Sequence, residues 1–427
     1  MYLFKYILKR LGLMLLTLVI IITLCFVLVK MLPNRADPGV GKDAALIELR
    51  REMMGYNKPI MEQYVYYIFG RTSYTYTVKD AEGNPVQATD DNGNPDYEKT
   101  PKLDENGDYV YMKDKEGNYL NAYGQVTTNP RYYVYEYEYK LDASGNKIPL
   151  YQTQTVFEKS KLPSYVGKDY VKEGTGGIIR GFFGASEILI KGADAWQMFA
   201  EKLPFTVALN LYSILLSIPL GIALGIYAAL RKNKWQDHVI SVGVMIFVSV
   251  PSFIYAFLVQ YILYYKLGWV SALVDAKHGA WSPQFFTTAI PAILSMSFGT
   301  IAGFARYTRA ELTEVLTSEF MLLARTKGLT KGQAVVRHAL KNAMVVIFPM
   351  ILGEFIAIMS GSLIIEGIFS IPGVGSLYIN SINAQPNPDY NVFLLLSGFY
   401  TIIGLLAGIV IDVSYGIIDP RIRMGAR

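Results

Sequence analysis

Residues 205–230 read FTVALNLYSILLSIPLGIALGIYAAL, a run of 26 residues without a single charged side chain. A helix rises about 1.5 Å per residue, so about 20 apolar residues cross the hydrocarbon core of a bilayer. The run is therefore long enough to predict a membrane-spanning helix. The whole chain has 427 residues, of which 52% are hydrophobic and 18% charged. This composition indicates a membrane protein and argues against a disordered chain or one soluble globule.

Five further apolar runs are found along the chain. Residues 343–365 are interrupted only by Glu354, and the other four runs have no charged residue. Together the six runs predict an α-helical polytopic membrane protein with six transmembrane helices. We interpret residues 1–31 as a cytoplasmic amino terminus with a retained first helix, because residues 30–33 are not a small-residue cleavage site. The uncharged runs are Leu11–Val29, Val239–Tyr265, Trp281–Ala305 and Asn391–Ile411.

The Lys and Arg residues are divided unevenly between the short connections. Three lie at the amino end, three in 231–234, seven in 306–341 and three in 421–427, whereas 266–280 and 366–390 hold only Lys266 and Lys277. Because positively charged connections stay on the cytoplasmic side, we expect a plasma-membrane protein with both termini and residues 306–342 in the cytoplasm. The long connection after the first helix is then extracellular.

This long connection has three predicted parts: a membrane-proximal segment at 32–70, an insert at 71–176, and a segment leading to the second helix at 177–204. The insert holds 15 of the 32 tyrosines, with 13 Lys/Arg and 17 Asp/Glu. An Asp that supports a turn and a Gly that accepts the left-handed conformation are typical of hairpins. We therefore predict an extracellular, β-rich insert. Its five Asp-x-x-Gly-Asn/Asp sequences begin at Asp80, Asp90, Asp104, Asp114 and Asp142.

Two features of the insert have alternative interpretations. The clustered Asp and Asn suggest calcium, but the spacing lacks the terminal Glu of an EF-hand loop, so ordinary hairpins are favoured. The tyrosines either cover a small β domain with a thin core or form a docking surface for an extracellular partner, and the covering role is favoured.

Motifs for catalysis and metal binding are missing from the sequence. The three histidines, His238, His278 and His338, are too dispersed for a metal cluster. Residues 36–43 resemble a phosphate loop but have Ala36 in place of its first glycine and Asp43 in place of its Ser/Thr. We expect no catalytic residue, no metal site and no cofactor in this chain.

Residues 306–342 form an unusual basic connection. Apolar residues at 312, 315, 316, 320 and 323 recur at helical spacing, and Ala-Arg-Thr-Lys-Gly-Leu follows at 324–329. Such a helix either lies on anionic lipid or forms a rigid elbow, since a glycine ends it and a second helix leads into the next span.

Residues 324–329 resemble the cytoplasmic loop of permease subunits of bacterial ABC importers, specifically the oligopeptide/dipeptide/nickel group. Ala324 and Gly328 match the Glu-Ala-Ala-x-x-x-Gly pattern of that loop, whereas Leu322 and Leu323 stand where it has Glu and Ala. The resemblance covers essentially everything except 71–176. It extends to the amino-terminal Lys-Arg with its apolar run, Gly-Tyr-Asn-Lys-Pro-Ile at 55–60, Leu-Pro-Phe-Thr at 203–206, Glu-Gly-Ile-Phe-Ser-Ile-Pro-Gly-Val-Gly at 366–375 and Asp-Pro-Arg-Ile-Arg at 419–423.

This resemblance implies the fold of an ABC type I importer permease of the first-permease type, with helices 2–6 in residues 205–427. It also implies a second homologous permease, two ATPase subunits that bind ATP and Mg²⁺, and a lipid-anchored or soluble extracellular binding protein that delivers peptide. Nucleic acid is not an expected partner. The ATPase-coupling loop implied by the resemblance consists of Met321, Leu322, Leu323, Ala324, Arg325, Thr326, Lys327, Gly328 and Leu329.

Polar residues within the predicted spans are candidates for a substrate path. An ionisable group exposed to lipid near mid-bilayer costs at least ~2.5 kcal/mol, so Glu354 should face a partner or water. A helix–helix hydrogen bond is the equal alternative for Glu354, and close helix packing is the alternative for the serines. The candidates are Glu354, Ser295, Ser297, Ser360 and Ser362.

Pro372, Gly373 and Gly375 follow the fifth span and are candidates for an external gate, with a plain turn as the alternative. The predicted function is that of a transmembrane subunit, without enzymatic activity of its own, in an ATP-driven importer of oligopeptides or dipeptides. The rivals are a permease for nickel or another small solute, a membrane-anchored ligand-binding surface protein, and a passive channel.

Overall fold

The computed structural model of the chain describes residues 2–31, 58–90, 93–120, 133–175, 177–186, 188–190, 193–385 and 388–418. Two compact units are present, a helix unit of residues 1–39 with 183–427 and an insert unit of residues 40–182. The motif residues at 55–57 and 419–423 lie outside the described ranges.

Helices dominate the described part of the chain. Five of them are long and apolar enough to cross a membrane, and a bent pair of shorter helices meets the same test. This confirms the predicted polytopic helical fold. In chain order the helices are α1 (Tyr2–Met31), α2 (Ile60–Phe69), α3 (Ala195–Leu230), α4 (Trp235–Ser249), α5 (Ser252–Gln260), α6 (Pro283–Leu316), α7 (Glu319–Thr326), α8 (Lys331–Ala334), α9 (Leu340–Ala357), α10 (Leu363–Ile368), α11 (Val374–Asn383) and α12 (Tyr390–Ile418).

Helices α3 and α6 pack closely along their length. A Cβ added at Gly221 of α3 would lie 2.8 Å from the carbonyl oxygen of Ile301, and one added at Gly225 would lie 2.7 Å from that of Ala305. Two glycines one turn apart therefore let the backbones approach, as is typical of helix pairs in membranes.

The predicted third span, 239–265, is wrong as a single helix. Helix α4 ends at Ser249, and the helix that begins at Ser252 runs at 102° to it. Val250 is extended (φ −90°, ψ 127°) because Pro251 disfavours the helical conformation of the residue before it. After Gln260 the chain continues to Lys266 in wider, π-helical turns.

The predicted fifth span, 343–365, is also interrupted. Helix α9 ends at Ala357, a 3₁₀ turn covers Ile358–Ser360, and Gly361 has a φ of +65°. A glycine in this conformation turns the chain before α10, which suits a residue without a Cβ.

Several predicted boundaries also differ from those of the helices. Helix α3 begins ten residues before the predicted start at 205, α6 continues past 305 to Leu316, and α12 extends past 411 to Ile418. The predicted amphipathic helix through 312–323 is divided between α6 and α7. Apolar runs mark the part of a helix that lies in hydrocarbon, whereas backbone hydrogen bonds carry the helix further.

The insert unit contains two small sheets besides α2. Strand β1 (Arg71–Thr77) lies between β4 (Thr153–Val156) and β5 (Tyr170–Thr175), antiparallel to both. Strands β2 (Lys99–Pro101) and β3 (Tyr137–Tyr139) form an antiparallel pair. Tyr74 faces Val156 on one side and Lys172 on the other, which fixes the register of the larger sheet.

A tight turn forms at each of the five Asp-x-x-Gly sequences. In the fifth, the N–H of Gly145 donates to the carbonyl oxygen of Asp142 at 3.1 Å, and the N–H of Asn146 donates to the Asp142 carboxylate at 2.8 Å. The five glycines have φ between +81° and +88°. The predicted hairpin turns are therefore confirmed.

Between these turns, the backbone closes rings of three hydrogen bonds. The N–H of Glu98 donates to the oxygen of Ile148 (2.9 Å), that of Ile148 to Lys140 (3.0 Å), and that of Lys140 back to Glu98 (2.9 Å). Similar rings include Val78, Ala88, Lys102 and Met112. The rings satisfy backbone N–H and C=O groups between the turns.

Candidate functional site

The connections at 231–234 and 306–342 meet at one end of the helix unit, which we call the basic end. Helix α6 stops at Leu316, and a turn at Thr317–Ser318 leads into α7, where the N–H of Met321 donates to the oxygen of Ser318 at 3.1 Å. The predicted coupling loop therefore contains a short helix that is separate from the preceding span.

Helix α7 has one anchored face and one exposed face. Met321 (4% exposed) and Ala324 (6%) belong to an apolar cluster with Leu312 of α6 and Ile347 of α9. Leu322 and Leu323 are 62% and 56% exposed. The helix is thus held against the spans on one side while it presents two leucines on the other. The described residues do not include the side chain of Arg325.

The end of α7 is set by Gly328, which has a φ of +85°. The N–H of Leu329 donates to the oxygen of Ala324 at 3.4 Å, the bond that spans a left-handed glycine in a Schellman motif. Thr330 and Gln333 then form a capping box at the start of α8, with side-chain to backbone bonds of 3.1 and 3.3 Å. Local chemistry therefore fixes both the end of α7 and the direction of the next helix.

An open cavity of about 390 Å³ lies beside α7. Its apolar part is contributed by Ala229, Leu230, Met321 and Leu322, among others, and Lys232 and Lys234 are the charged residues among those that line it. The exposed face of α7 therefore continues into a groove whose described charges are positive.

An ion pair with a buried carboxylate lies at the same end. The guanidinium of Arg309 on α6 donates to the Asp237 carboxylate on α4 through Nε (2.5 Å) and a terminal nitrogen (2.8 Å). Asp237 is 1% exposed and also accepts the N–H of Asn233 at 3.0 Å. This two-pronged bond ties α4 to the helix that carries α7.

The candidate path residues are not joined to one another by hydrogen bonds in the described part of the chain. The hydroxyl of Ser295 donates to the oxygen of Pro291 (2.6 Å), and that of Ser297 lies 3.0 Å from Ser213 across the α3–α6 interface. These contacts fit the packing alternative. Ser360 ends the 3₁₀ turn after α9 and Ser362 caps α10, whereas the half-buried Glu354 has no hydrogen-bond or ion-pair partner among the described residues.

At the other end of the spans, residues 361–376 form what we call the turn segment, which contains the gate candidates Pro372, Gly373 and Gly375. The two glycines are buried and lie against the side chain of Glu366, which is 0% exposed. At the same end, the Asp389 carboxylate accepts hydrogen bonds from the hydroxyl of Ser186 (2.6 Å) and from the backbone N–H groups of Ile188 and Leu189.

Comparison with known proteins gives consistent results. A family described as binding-protein-dependent transport system inner membrane component matches residues 221–424. The oligopeptide transport system permease protein OppB of Haemophilus influenzae is 31% identical over 244 residues, 57% of this chain and 76% of that protein. The chain belongs to this family of transport permeases. The dipeptide transport system permease protein DppB of Lactococcus lactis is 30% identical to the permease described here, over 70% of this chain and 90% of its own.

A solved structure of the MetNI methionine ABC transporter in inward-facing conformations aligns with the permease at a TM-score of 0.40 and 16% identity. The alignment covers 51% of this chain and 97% of that one. Membership in the family implies ATPase and substrate-binding partners.

Sequence reasoning about the permease located the region of α7 and the helix end at Gly328, but it did not predict the break between α6 and α7 and it missed two buried carboxyl groups. Asp237 follows a basic connection, and Glu366 lies in the motif at 366–375, yet neither was a candidate. An acidic residue at the edge of an apolar run was the available signal, because burial there requires partners.

Proposed function

We propose that this permease is a transmembrane subunit of an ATP-driven importer that moves oligopeptides or dipeptides into the cell. The similar proteins of Haemophilus influenzae and Lactococcus lactis carry the names of peptide permeases, and both align over more than two thirds of their length. The basic end then faces the cytoplasm, as the Lys/Arg distribution favours, and the insert faces outward.

The observation that carries this proposal is the geometry of α7. Its inner face belongs to an apolar cluster that includes residues of α6 and α9, and the helix contacts residues 331–339, which lead directly into α9, so a force on α7 reaches the spans. Its outer face offers exposed leucines beside a groove with two lysines. This arrangement suits a coupling helix seated on an ATPase subunit, where ATP and Mg²⁺ are bound and hydrolysed. The permease itself needs no cofactor for this role.

The partners in this proposal are two ATPase subunits, a second homologous permease and an extracellular binding protein that delivers peptide. The experiment is affinity purification of the full-length chain from native membranes in mild detergent. We expect ATPase chains and a sister permease in the eluate, with ATPase activity that rises when binding protein and peptide are added. Recovery of a folded permease without any ATPase chain would contradict the proposal.

A matched pair of variants tests the role of α7. Gly328→Val places a β-branched side chain at a φ of +85°, a strained conformation, and should lower ATPase recovery and peptide uptake. Gly332→Val is the control, because Gly332 is exposed with open space around it and no left-handed φ. An equal loss of ATPase recovery and peptide uptake in both variants would show that any larger side chain in this region is harmful, whatever the backbone conformation of Gly328.

A further inference from the structure

The Glu366 side chain is held by neutral donors from two directions. The hydroxyl of Thr206 on α3 donates to Oε1 at 2.8 Å, and the N–H of Ser376 donates to Oε2 at 2.9 Å. Glu366 is 0% exposed, as is Thr206. The carboxyl group therefore joins α3 to the turn segment, and Thr206 and Glu366 are 160 residues apart in the sequence.

The same contacts satisfy the start of α11. Gly373 precedes this helix and has no side chain to cap it. The N–H of Val374 donates to the Thr206 hydroxyl at 2.8 Å, and Ser376 in the first turn donates to Glu366. Free N–H groups and the helix dipole favour a carboxyl group at this position. Glu366 and Thr206 thus act together as a cap supplied from outside the helix.

Three glycines make room for this carboxyl group. A Cβ at Gly361 would lie 2.6 Å from Oε1, and one at Gly375 would lie 3.0 Å from Oε2; one at Gly373 would overlap the carboxyl group. Real Cβ atoms essentially never approach as closely as they would at Gly361 and Gly373, and the contact at Gly375 would be unusually tight, so the glycines serve close packing around Glu366. They are not evidence of a flexible hinge.

We propose that Glu366 is a positioning residue that locks the turn segment to Thr206, so that the segment moves with α3 instead of opening as an independent flap. Its consequence for transport rests on the proposed function and on the prediction that the gate candidates in the turn segment close the outer end of the peptide path. Loss of the lock should free the start of α11 and let the closed state open without ATP.

The first experiment measures the lock itself, in the assembled complex. Val374, which is 0% exposed, is replaced by Cys in a Cys25→Ala background, and its rate of labelling by a thiol reagent is followed. Thr206→Val keeps the shape of the side chain but removes its donor and its acceptor. Since the loss of a hydrogen bond that leaves a buried partner unsatisfied is worth roughly a tenfold change in equilibrium, we expect labelling to rise about tenfold. Thr206→Ser, which retains the hydroxyl, should label like the parent.

Glu366→Gln is the second variant. Thr206 and Ser376 both donate hydrogen bonds to the Glu366 carboxyl group, whereas a glutamine has one acceptor oxygen and must place its NH₂ group, a donor, against one of them. Recovery of the ATPase chains checks that each variant is assembled. Equal labelling of the Thr206→Val and Thr206→Ser proteins would overturn the lock, whether or not the chain is a peptide permease.

The second readout is the number of peptides imported per ATP hydrolysed. We expect this ratio to fall in Thr206→Val and Glu366→Gln and to recover in Thr206→Ser. Faster labelling with an unchanged ratio would show that the lock is real but not part of the transport closure. Absence of ATPase chains from the parent complex would instead contradict the proposed function.

Discussion

Asp237 and Glu366 are both buried acidic residues of the helix unit, yet the two ends of the spans hold them differently. At the basic end, Asp237 faces the fixed charge of Arg309, whose side chain is 33% exposed and still reaches solvent. At the other end, Glu366 accepts hydrogen bonds from a hydroxyl and from a backbone N–H in the first turn of α11, and three glycines lie close against it. Asp237 is bonded directly to a cation, whereas the hydrogen bonds to Glu366 come from neutral donors and its surroundings are closely packed.

This difference indicates which kind of substitution each end tolerates. The Asp237–Arg309 pair depends on the presence of the opposite charge, because removal of one partner leaves the other buried and uncompensated. The Glu366 site depends on the space left by small residues and on neutral donors, each of which contributes less than a charge. Charge-removing variants should therefore have their largest effect at the basic end, and added methyl groups at the other.

The largest effect is expected for Arg309→Met, which keeps the apolar stem but removes the guanidinium. Asp237 then stays buried without its cation. Breaking a fully buried pair costs about 3–5 kcal/mol of unfolding free energy, and we expect the lower end of this range because the Arg309 side chain reaches solvent. Chemical denaturation of the purified protein in detergent measures this. Arg306→Met on the same helix is the control, since Arg306 is exposed and surface changes stay within about 0.5 kcal/mol. A similar loss in both variants would remove the distinction between the two ends.

A smaller effect is expected for Gly375→Ala. The new methyl group would lie 3.0 Å from Oε2 of Glu366 and 3.1 Å from the N of Leu363, and overpacking of this kind costs about 1–3 kcal/mol. The control is Gly367→Ala in the same segment, where nothing lies within 4 Å. Thermal unfolding of the two proteins under one detergent condition gives the comparison. If Gly375→Ala is as stable as Gly367→Ala, the packing around Glu366 can accept a methyl group and the predicted overpacking is wrong.

Features of the fold that depend on local sequence could be predicted. Membrane spans follow from composition, because about 20 apolar residues are needed whatever lies beside them. The left-handed Gly328 also follows from local signals, since the Schellman and capping-box bonds join residues three to five positions apart. The breaks at Pro251 and Gly361 interrupt runs that remain apolar on both sides, so hydropathy alone joins the two halves.

The buried carboxyl contacts could not be predicted because their partners are distant in sequence. Arg309 is 72 residues from Asp237, and Thr206 is 160 residues from Glu366. The sequence contains recognisable motifs at 203–206 and 366–375, but only the fold shows that they meet. Local patterns therefore identify the elements, whereas their contacts depend on how the helices pack.

The smallest expected effect concerns a third way to hold a carboxyl group, in the exposed turns of the insert. The backbone N–H groups of Asn146 and Ser144 donate to Asp142, each at 2.8 Å, and hold the pKa of that carboxyl below its ordinary value of 3.8. A lowered folded-state pKa contributes stability above the unfolded value, and this contribution is lost as the pH falls through the folded value.

We therefore expect hydrogen-exchange protection of the Ser144 and Asn146 amides, corrected for intrinsic rates, to be constant near neutral pH and to decline below about pH 4. Asp142→Asn keeps an acceptor oxygen but no titratable group, so its protection should be weaker at neutral pH and should not decline in acid. The same acid-dependent decline in Asp142→Asn would show that the turn is held by backbone geometry alone. Because the Asp142 carboxylate is exposed and its donors among the described residues are neutral, its contribution should be the smallest of the three, below the buried carboxylate paired with Arg309 and the closely packed Glu366.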